Sequence, residues 1–305
     1  MKKVVIVSPV HNRREITLQC LRSLSRIDHD GLNVHTIIVD DGSTDGTAEA
    51  IKRDFPQVEL IEGDGSLWYT EGTNIGFRAA LKHAPDYILA INDDSIFEEQ
   101  FLQHLVETAE KTQPSIVGAV LLLWDTPHKV FQTSPVWDTL SGGMIHLNKQ
   151  TVWTLPERPW NVRQIVGNCV LYPAEAIRQG GLMDSKRFKM LGDAEYTPRL
   201  KRMGWNLLID PRARVFCKPN DAAKGFRSMS LSAKVRETFF NPSGPYDVRR
   251  RLHMVLENAP STIHGIAAFI IFYFRAAIGK NAEGQWGQKR NERPLAEIHS
   301  FQNSQ

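Results

Sequence analysis

The sequence predicts an α/β fold in which a mostly parallel, Rossmann-like sheet is flanked by helices and followed by a helical C-terminal extension. Short apolar segments, typical of buried strands, alternate with segments whose apolar residues recur at helical spacing. One apolar segment ends directly in the aspartate pair Asp40-Asp41, and another is followed by Asn92 and the pair Asp93-Asp94. Strands that alternate with helices connect by right-handed crossovers and run parallel, so we expect their carboxyl ends to meet at one edge of the sheet.

The composition is that of a globular protein without a strong charge bias. The 305 residues are 42% hydrophobic, enough for one large domain or two small ones, and the net charge of +3 is too small to indicate a nucleic-acid partner. Cys20, Cys169 and Cys217 follow neither a zinc-binding nor a disulfide pattern, which predicts a reducing cytoplasm. The apolar run 4–7 is too short for a signal peptide and is predicted to be the first strand.

Four strands are predicted in the N-terminal half, over residues 4–7, 36–39, 58–61 and 87–91. A helix follows each strand, and the one after the fourth strand is predicted over 98–112. The turn after the second strand contains Gly42 and Gly46, which permit a tight change of direction. The connection after the third strand, 63–76, is long and rich in glycine.

Polar side chains collect at the predicted carboxyl edge of this sheet: His11, Asp40, Asp41, Asn74, Asp93 and Asp94. Ligands of open α/β sheets bind beyond this edge, and a carboxylate pair there needs a positive partner. A divalent cation that holds a diphosphate is the simplest such partner, and carboxylates also accept hydrogen bonds from the hydroxyls and base amines of a nucleoside. The alternative is that each residue is an ordinary turn or cap residue.

The C-terminal half continues the sheet and then becomes helical. Strands are predicted over 115–123, 166–172, 205–209 and 213–216, with a helix from Asp193 to Met203. Asp193 at the start of that helix is either a helix cap or a functional carboxylate. The ten apolar residues 265–274 are fewer than the roughly 18 to 20 of a spanning helix. They predict one of two things: a helix that packs on the preceding domain or on a second subunit, or a basic amphipathic segment that lies on a membrane surface.

Four segments, in their order along the chain, resemble the signatures of the family-2 inverting glycosyltransferases with the GT-A fold. They are Val7–Arg13, Val39–Thr47, Asn74–Gly76 and Asn92–Asp94. The resemblance covers roughly residues 1–220 and implies a GT-A catalytic domain there, with a nucleotide-binding half over 1–114 and an acceptor half over 115–220. Residues 221–305 are then the helical extension, which either associates with a membrane or oligomerises.

The resemblance also implies roles for individual residues. Asp94 matches the metal-binding end of the Asp-X-Asp motif, for Mn²⁺ or Mg²⁺, and Asp193 matches the catalytic base. Eight residues are assigned to the nucleotide pocket: Pro9, His11, Arg13, Asp40, Asp41, Asn74, Asn92 and Asp93.

Three positions depart from the family pattern. Asn92 stands at the first aspartate of Asp-X-Asp, where its amide oxygen still accepts a hydrogen bond from ribose. Gly192 replaces the acid that usually precedes the catalytic aspartate, and Cys217-Lys218 stand where a metal- or diphosphate-binding histidine often occurs. We therefore expect Asp94 to bind the metal without that histidine.

The resemblance implies metal-dependent, inverting transfer of a sugar from a UDP- or dTDP-sugar to a hydroxyl of a glycan or lipid-linked acceptor. The expected setting is the cytoplasm, or the inner face of the cell membrane as a peripheral protein, during surface polysaccharide synthesis. The segment 63–69 is similar to rhamnosyltransferase-type members. Non-catalytic binding of nucleotide sugars or glycans is the main alternative. A sugar nucleotidyltransferase or a dinucleotide-dependent oxidoreductase would need a glycine-rich loop after the first strand, and residues 8–12 contain no glycine.

Overall fold

The computed structural model describes residues 1–146, 150–218, 226–241 and 244–279. They form two compact units, one of residues 1–121 and 156–217, the other of the described residues within 122–155 and 218–305. The strands, in chain order, are β1 (Lys2–Val10), β2 (Leu32–Asp40), β3 (Glu59–Glu62), β4 (Tyr87–Ile91), β5 (Ser95–Phe97), β6 (Ser115–Leu123), β7 (Val130–Gln132), β8 (Val136–Asp138), β9 (Gly143–Ile145), β10 (Trp160–Asn161), β11 (Cys169–Pro173) and β12 (Asn206–Cys217). The α-helices are α1 (Arg14–Leu24), α2 (Thr47–Asp54), α3 (Trp68–Lys82), α4 (Phe101–Lys111), α5 (Ala174–Gly180), α6 (Asp193–Arg202), α7 (Leu231–Phe239), α8 (Val248–Asn258) and α9 (Thr262–Ala277).

The sheet of the first unit has the strand order β10-β12-β6-β11-β4-β1-β2-β3, with β5 paired to β12. β1 runs parallel to β2 and β4, and β2 runs parallel to β3. β11 is antiparallel to β4 and β6, whereas β5 and β10 are antiparallel to β12. The predicted α/β fold with a helical C-terminal region is therefore confirmed, and its sheet combines a parallel half with a mixed half.

The register of the parallel half places the predicted polar residues at one level. Val10 of β1 lies opposite Asp40 of β2, and Val7 lies opposite Ala90 of β4. All five residues of β4 are buried, and Asn92, the residue that follows them, is partly exposed. The segments after β1, β2 and β4 consequently begin at the same carboxyl edge, as the sequence predicts.

Helix α3 lies unusually close to β1, and two glycines make this approach possible. A Cβ atom on Gly72 would lie 2.8 Å from the Pro9 Cβ, and one on Gly76 would lie 2.1 Å from a Val7 methyl carbon. Real side chains do not tolerate such separations, so both positions require glycine. The close packing fixes the N-terminal half of α3 beside the carboxyl edge.

The structure differs from the sequence predictions just after Asp94 and near the end of the sheet. Residues 95–97 form β5 before α4, which begins at Phe101, and the predicted strands 205–209 and 213–216 form the single strand β12. Ser95 of β5 lies opposite Cys217 of β12. This pairing joins residues 122 positions apart, so no local sequence pattern could predict it.

The second unit packs its helices around Phe272 of α9. Phe272 is fully buried and contacts Tyr246 and Ala276 in a small aromatic core. The Arg251 guanidinium of α8 lies 3.6 Å from the centre of the Phe272 ring, and its Nη2 donates a hydrogen bond to the Gly142 carbonyl at 2.9 Å. One face of α9 is therefore packed against its own unit. None of the helices within the described residues has the length and apolar character required to cross a membrane.

Candidate active site

Arg13 pairs with both aspartates that follow β4. Its Nη1 lies 2.9 Å from Asp93 Oδ1 and its Nη2 lies 3.0 Å from Asp94 Oδ2. The second oxygen of Asp93 accepts a hydrogen bond from the Thr17 hydroxyl at 3.0 Å. Burial raises the pKa of Asp93 to about 6, although the positive charge of Arg13 opposes this shift. One cation thus holds two buried carboxylates, and the group keeps one excess negative charge when both are ionised.

Two buried oxygens at this edge lack a hydrogen-bond partner among the described residues, Asp94 Oδ1 and Asn92 Oδ1. Buried acceptors without a partner are rare and indicate a water, an ion or a ligand. Mn²⁺ and Mg²⁺ prefer carboxylate oxygens, so Asp94 Oδ1 fits the metal ligand that the sequence predicts. The Asn92 amide oxygen retains the acceptor capacity that a ribose hydroxyl requires.

Cys217 lies beside this pair at the end of β12. Its Sγ is 3.7 Å from the Ser95 hydroxyl oxygen. Burial, followed by the negative charge of Asp94, raises the pKa of the Cys217 thiol to about 12. Mn²⁺ and Mg²⁺ prefer oxygen ligands to sulfur. The Asp94 carboxylate oxygen therefore fits such an ion better than the Cys217 thiol does.

Asp193 is the first residue of α6 and is buried. Its Oδ2 accepts a hydrogen bond at 2.9 Å from the backbone N–H of Gly167, which lies outside its own helix. Desolvation raises the pKa of Asp193, although the Gly167 amide and the first amides of α6 act in the opposite direction. The hydrogen bond from Gly167 holds this carboxylate in position. A helix cap would bind only the amides of its own helix.

Tyr69 connects the two carboxylate regions. Its hydroxyl donates a hydrogen bond to the Gly167 carbonyl at 3.2 Å. Burial and the negative charges of Asp193 and Asp94 raise the pKa of this phenol well above its usual range. A Cβ atom on Gly167 would lie 2.7 Å from both the Asp193 Cβ and the Tyr69 oxygen. The three residues therefore pack as one rigid group within reach of the charge of Asp94.

The aspartates after β2 hold backbone segments in place. Asp41 accepts hydrogen bonds from the backbone N–H groups of Gly65, Leu67 and Trp68 at 2.9, 3.1 and 2.9 Å, which orders the turn that begins α3. Asp40 accepts one from the Ser43 N–H at 3.0 Å. The His11 Nδ1 lies 2.6 Å from the Asp41 carbonyl oxygen. These contacts tie the loops after β1 and β2 to the start of α3.

Asn74 is also engaged by the surrounding backbone. Its Nδ2 donates to the Met183 carbonyl at 2.9 Å, and its Oδ1 accepts from the Met183 N–H at 3.0 Å. A further contact at 3.2 Å joins Nδ2 to the Glu71 carboxylate. The amide therefore fastens residue 183 to α3, with both its oxygen and its nitrogen in use.

Sequence reasoning missed three residues of this region: Thr17, Tyr69 and Gly167. Thr17 lies four residues after Arg13, one helical turn on, and this spacing could have indicated that both approach Asp93. Tyr69 falls within the segment 63–76, which the sequence predicts to be a glycine-rich connection, whereas the structure places it in the first turn of α3. Gly167 contacts Asp193 through a hydrogen bond between residues that are distant in sequence. No local sequence pattern predicts this contact.

Comparison with known proteins gives a family match over more than half of the chain. The family described as Glycosyl transferase family 2 matches residues 5–179. The curated N-acetylglucosaminyl-diphospho-decaprenol L-rhamnosyltransferase of Mycobacterium tuberculosis is 25% identical over 204 residues. This match spans 60% of the chain and 66% of the relative, slightly less than two thirds of the relative's length.

Solved structures share the fold at low sequence identity. The mannosyltransferase PcManGT from Pyrobaculum calidifontis, solved with GDP-Man and Mn²⁺, has a TM-score of 0.55 and 15% identity, covering 99% of this chain and 79% of its own. GalNAc-T7, solved with UDP, GalNAc and Mn²⁺, has a TM-score of 0.60 and 15% identity, covering 98% of this chain and 58% of its own. At this identity the likeness shows the fold alone.

Proposed function

The chain belongs to glycosyl transferase family 2, and from this premise we propose that it transfers a sugar, with inversion, from a nucleoside diphosphate sugar to a hydroxyl of a glycan or lipid-linked acceptor. The observation that carries the proposal is a pair of carboxylates in different surroundings. Asp94 has a buried oxygen without a partner among the described residues, whereas Asp193 is held by the Gly167 amide and has a raised pKa. When the surroundings of two carboxylates differ in this way, the two groups can take different roles in one reaction.

In the proposed reaction, Asp193 accepts the proton of the acceptor hydroxyl as that oxygen attacks the anomeric carbon. Its raised pKa makes it a stronger base than an exposed aspartate, and its contact with Gly167 holds it in one position. Attack from the side opposite the leaving diphosphate inverts the configuration at that carbon. The Tyr69 hydroxyl donates a hydrogen bond to the carbonyl of the same glycine, which helps to hold Gly167 beside the base.

Asp94 is the proposed holder of Mn²⁺ or Mg²⁺, through the oxygen that has no partner among the described residues. When bound, such an ion supplies Lewis-acid stabilisation of the departing diphosphate. Arg13 keeps Asp93 and Asp94 at a fixed separation by binding one oxygen of each. Mn²⁺ in the two solved structures of the same fold supports a divalent ion here.

The nucleotide pocket is proposed to follow the carboxyl edge. Pro9, His11 and Arg13 would line the base, and the Asn92 amide oxygen would accept a hydrogen bond from ribose. The side chains of Asp40, Asp41 and Asn74 already form hydrogen bonds with backbone groups. We propose that Asp41 and Asn74 act mainly by shaping the pocket walls.

A dTDP- or UDP-sugar is the proposed donor, with rhamnose as the first sugar to test. The similar mycobacterial protein is named as an N-acetylglucosaminyl-diphospho-decaprenol L-rhamnosyltransferase, and this name supports a lipid-linked sugar as the acceptor. We propose surface polysaccharide synthesis as the setting. Such an acceptor would bring the protein to the inner face of the cell membrane from the cytoplasm. Exposed apolar residues along α9, among them Ile266 and Ile270, offer a surface for that contact.

The test is a thermal-shift screen of UDP, dTDP and GDP, each with and without Mn²⁺, on the parent chain and on Asp94→Asn. A ligand at one hundred times its Kd stabilises by about 2.7 kcal/mol, which corresponds to roughly 5 °C in a chain of this size. We expect one diphosphate to produce this shift only with Mn²⁺, and Asp94→Asn to abolish it. Asp86→Asn, at the opposite end of β4, is the matched control and should retain it.

Each outcome of the screen has a defined meaning. A shift of equal size with a chelator present would contradict the metal assignment. Binding of a diphosphate sugar without transfer to any acceptor hydroxyl or hydrolysis would favour the alternative, a non-catalytic nucleotide-sugar-binding protein. No shift with any nucleotide in folded protein would contradict both.

A further inference from the structure

A second group of metal-ligating side chains lies on β2, β3 and the residue after α3. His35 is in β2, Glu59 is the first residue of β3, and His83 directly follows α3. The Nε2 atoms of both histidines lie 2.8 Å from the same oxygen, Glu59 Oε2. The three ligand atoms all fall within 4.8 Å of one another, and no other such trio of His, Cys, Asp or Glu occurs within the described part of the chain.

This trio is distant from the candidate active site. His35 precedes Asp40 by five residues along β2, which separates their backbones by roughly 16 Å in an extended strand. Glu59 and His83 lie at the amino ends of β3 and β4, opposite the carboxyl edge that holds Asp94. An ion bound by the trio would therefore not touch the diphosphate of a donor.

The backbone around the trio is rigid before any ion binds. His35 is paired with Val5 in the β1–β2 ladder. The His83 N–H donates to the Ala80 carbonyl at 3.0 Å, and its own carbonyl accepts from the Lys3 ammonium at 2.6 Å. The two imidazole rings lie with their centres 4.4 Å apart. Ligands that are held on strands and helix ends need little ordering when a metal binds.

The chemistry and exposure of the three side chains also suit an ion. A neutral imidazole need only carry its proton on Nδ1 for Nε2 to become a ligand. All three side chains are about one-third exposed, at 29%, 35% and 32%, so water can complete the coordination.

We propose that His35, Glu59 and His83 bind a zinc-class divalent transition-metal ion, which joins the edge strand β3 to β2 and to the end of α3. Two imidazole nitrogens and one carboxylate oxygen are ligands that Zn²⁺ takes at about 2.0 to 2.2 Å, with water in the remaining position. Imidazole favours Zn²⁺, Ni²⁺ and Cu²⁺ over Mg²⁺ and Ca²⁺, which separates this site from the one proposed at Asp94. The alternative is a hydrogen-bonded trio that binds no ion.

The test titrates Zn²⁺ alone into the tag-free, chelator-treated full chain by calorimetry, without nucleotide. We expect one ion per chain to bind, and His35→Gln, His83→Gln and Glu59→Gln each to weaken the affinity at least tenfold. His29→Gln is the matched control, because His29 is an exposed histidine in the loop before β2, and it should bind as the parent does. Asp94→Asn should also keep this binding, so failure of the proposed transfer reaction and failure of this site are distinguishable.

A second measurement needs no variant of the trio. Diethyl pyrocarbonate modifies accessible imidazoles, and mass spectrometry reports each position separately. Zn²⁺ should slow modification of His35 and His83 at least fivefold and leave His29 unchanged. Equal modification with and without Zn²⁺, equal affinity in parent and variants, or no binding by the folded parent would overturn the proposal in favour of the ion-free trio.

Discussion

The charge balance around Arg13 explains how two carboxylates can lie buried side by side. One guanidinium binds one oxygen of Asp93 and one of Asp94, while Thr17 binds the second oxygen of Asp93. The second oxygen of Asp94 has no partner among the residues that the structure describes. We propose that a divalent cation at that oxygen balances the excess negative charge and so stabilises the arrangement.

Substitution of Arg13 should therefore destabilise the chain in a metal-dependent manner. Arg13→Gln leaves two buried carboxylates without their cation, at a cost of about 3 to 5 kcal/mol in the free energy of unfolding. Saturating Mn²⁺ should recover about half of that loss, because the ion replaces part of the missing positive charge. Urea unfolding with and without Mn²⁺ measures both effects. Arg14→Gln, an exposed neighbour whose charge pairs with Glu15, is the control and should cost less than about 1 kcal/mol.

Asp193 should set both the rate of transfer and its dependence on pH. A general base contributes about 10²- to 10⁴-fold, so Asp193→Asn should reduce kcat by at least that range while the Kd of the nucleotide stays within threefold. The base must be ionised, so kcat/KM should fall as the pH drops through its pKa. Because desolvation raises that pKa, the acidic midpoint should lie above the value of about 3.9 that is usual for aspartate.

Glu195→Gln is the matched control for Asp193→Asn. Glu195 lies on the same helix, is also buried and pairs with Arg199. Its loss should lower stability without changing the pH profile. Equal loss of nucleotide binding and of transfer in Asp193→Asn would instead indicate that Asp193 is a structural cap.

Among the helices and strands, α3 makes several of the contacts that position the residues of the candidate site. Asp41 gathers the three backbone amides that precede and begin this helix. Gly72 and Gly76 allow it to lie against β1, and Asn74 fastens Met183 to it. Asp41 and Asn74, which the resemblance assigns to nucleotide binding, thus hold the framework of the candidate site.

Asn74→Ala tests this framework role. The substitution leaves the buried N–H and carbonyl of Met183 without their partner, at a cost of about 2 to 4 kcal/mol for two unsatisfied groups. We expect this loss in urea unfolding, with the nucleotide Kd raised less than tenfold. Asn33→Ala, at an exposed position of β2, should change neither quantity by a comparable amount. A large rise in Kd with unchanged stability would show direct contact between Asn74 and the nucleotide.

The parallel half of the sheet could be predicted because its signals are local. Each of β1, β2 and β4 is an apolar run that stops at polar residues, so the carboxyl edge and the Asp94 position followed from the sequence alone. β5 could not be predicted, because three residues form a strand only through pairing with the distant end of β12. The hydrogen bond that holds Asp193 could not be predicted for the same reason, because its donor, Gly167, is 26 residues away along the chain.

For the molecule as a whole, the main open feature is helix α9, which has two apolar faces. One face is buried in its own unit and the other is exposed. Its buried face consists of Gly265, Ala268, Phe272 and Ala276. Its exposed apolar residues recur three and four positions apart, as Ile263, Ile266, Ile270 and Phe274. Residues with this spacing share one side of a helix. Helix α9 therefore has one face packed on its own unit and one exposed apolar face, and contact of the exposed face with a membrane or a second subunit stays a prediction.

A membrane surface is the partner that the proposed lipid-linked acceptor favours, and substitution of the exposed face tests it. Ile266→Glu with Ile270→Glu places charge on residues that are 48% and 61% exposed, so we expect thermal stability to stay within about 2 °C of the parent. Sedimentation with vesicles that contain anionic lipid should then fall at least fivefold, because acidic side chains oppose insertion of the helix face. Thr262→Glu adds a charge at an exposed, non-apolar position of the same helix and should sediment nearly as the parent does. If the parent does not bind vesicles but forms a dimer that the double substitution dissociates, the exposed face serves a second copy of the chain and the membrane proposal is wrong.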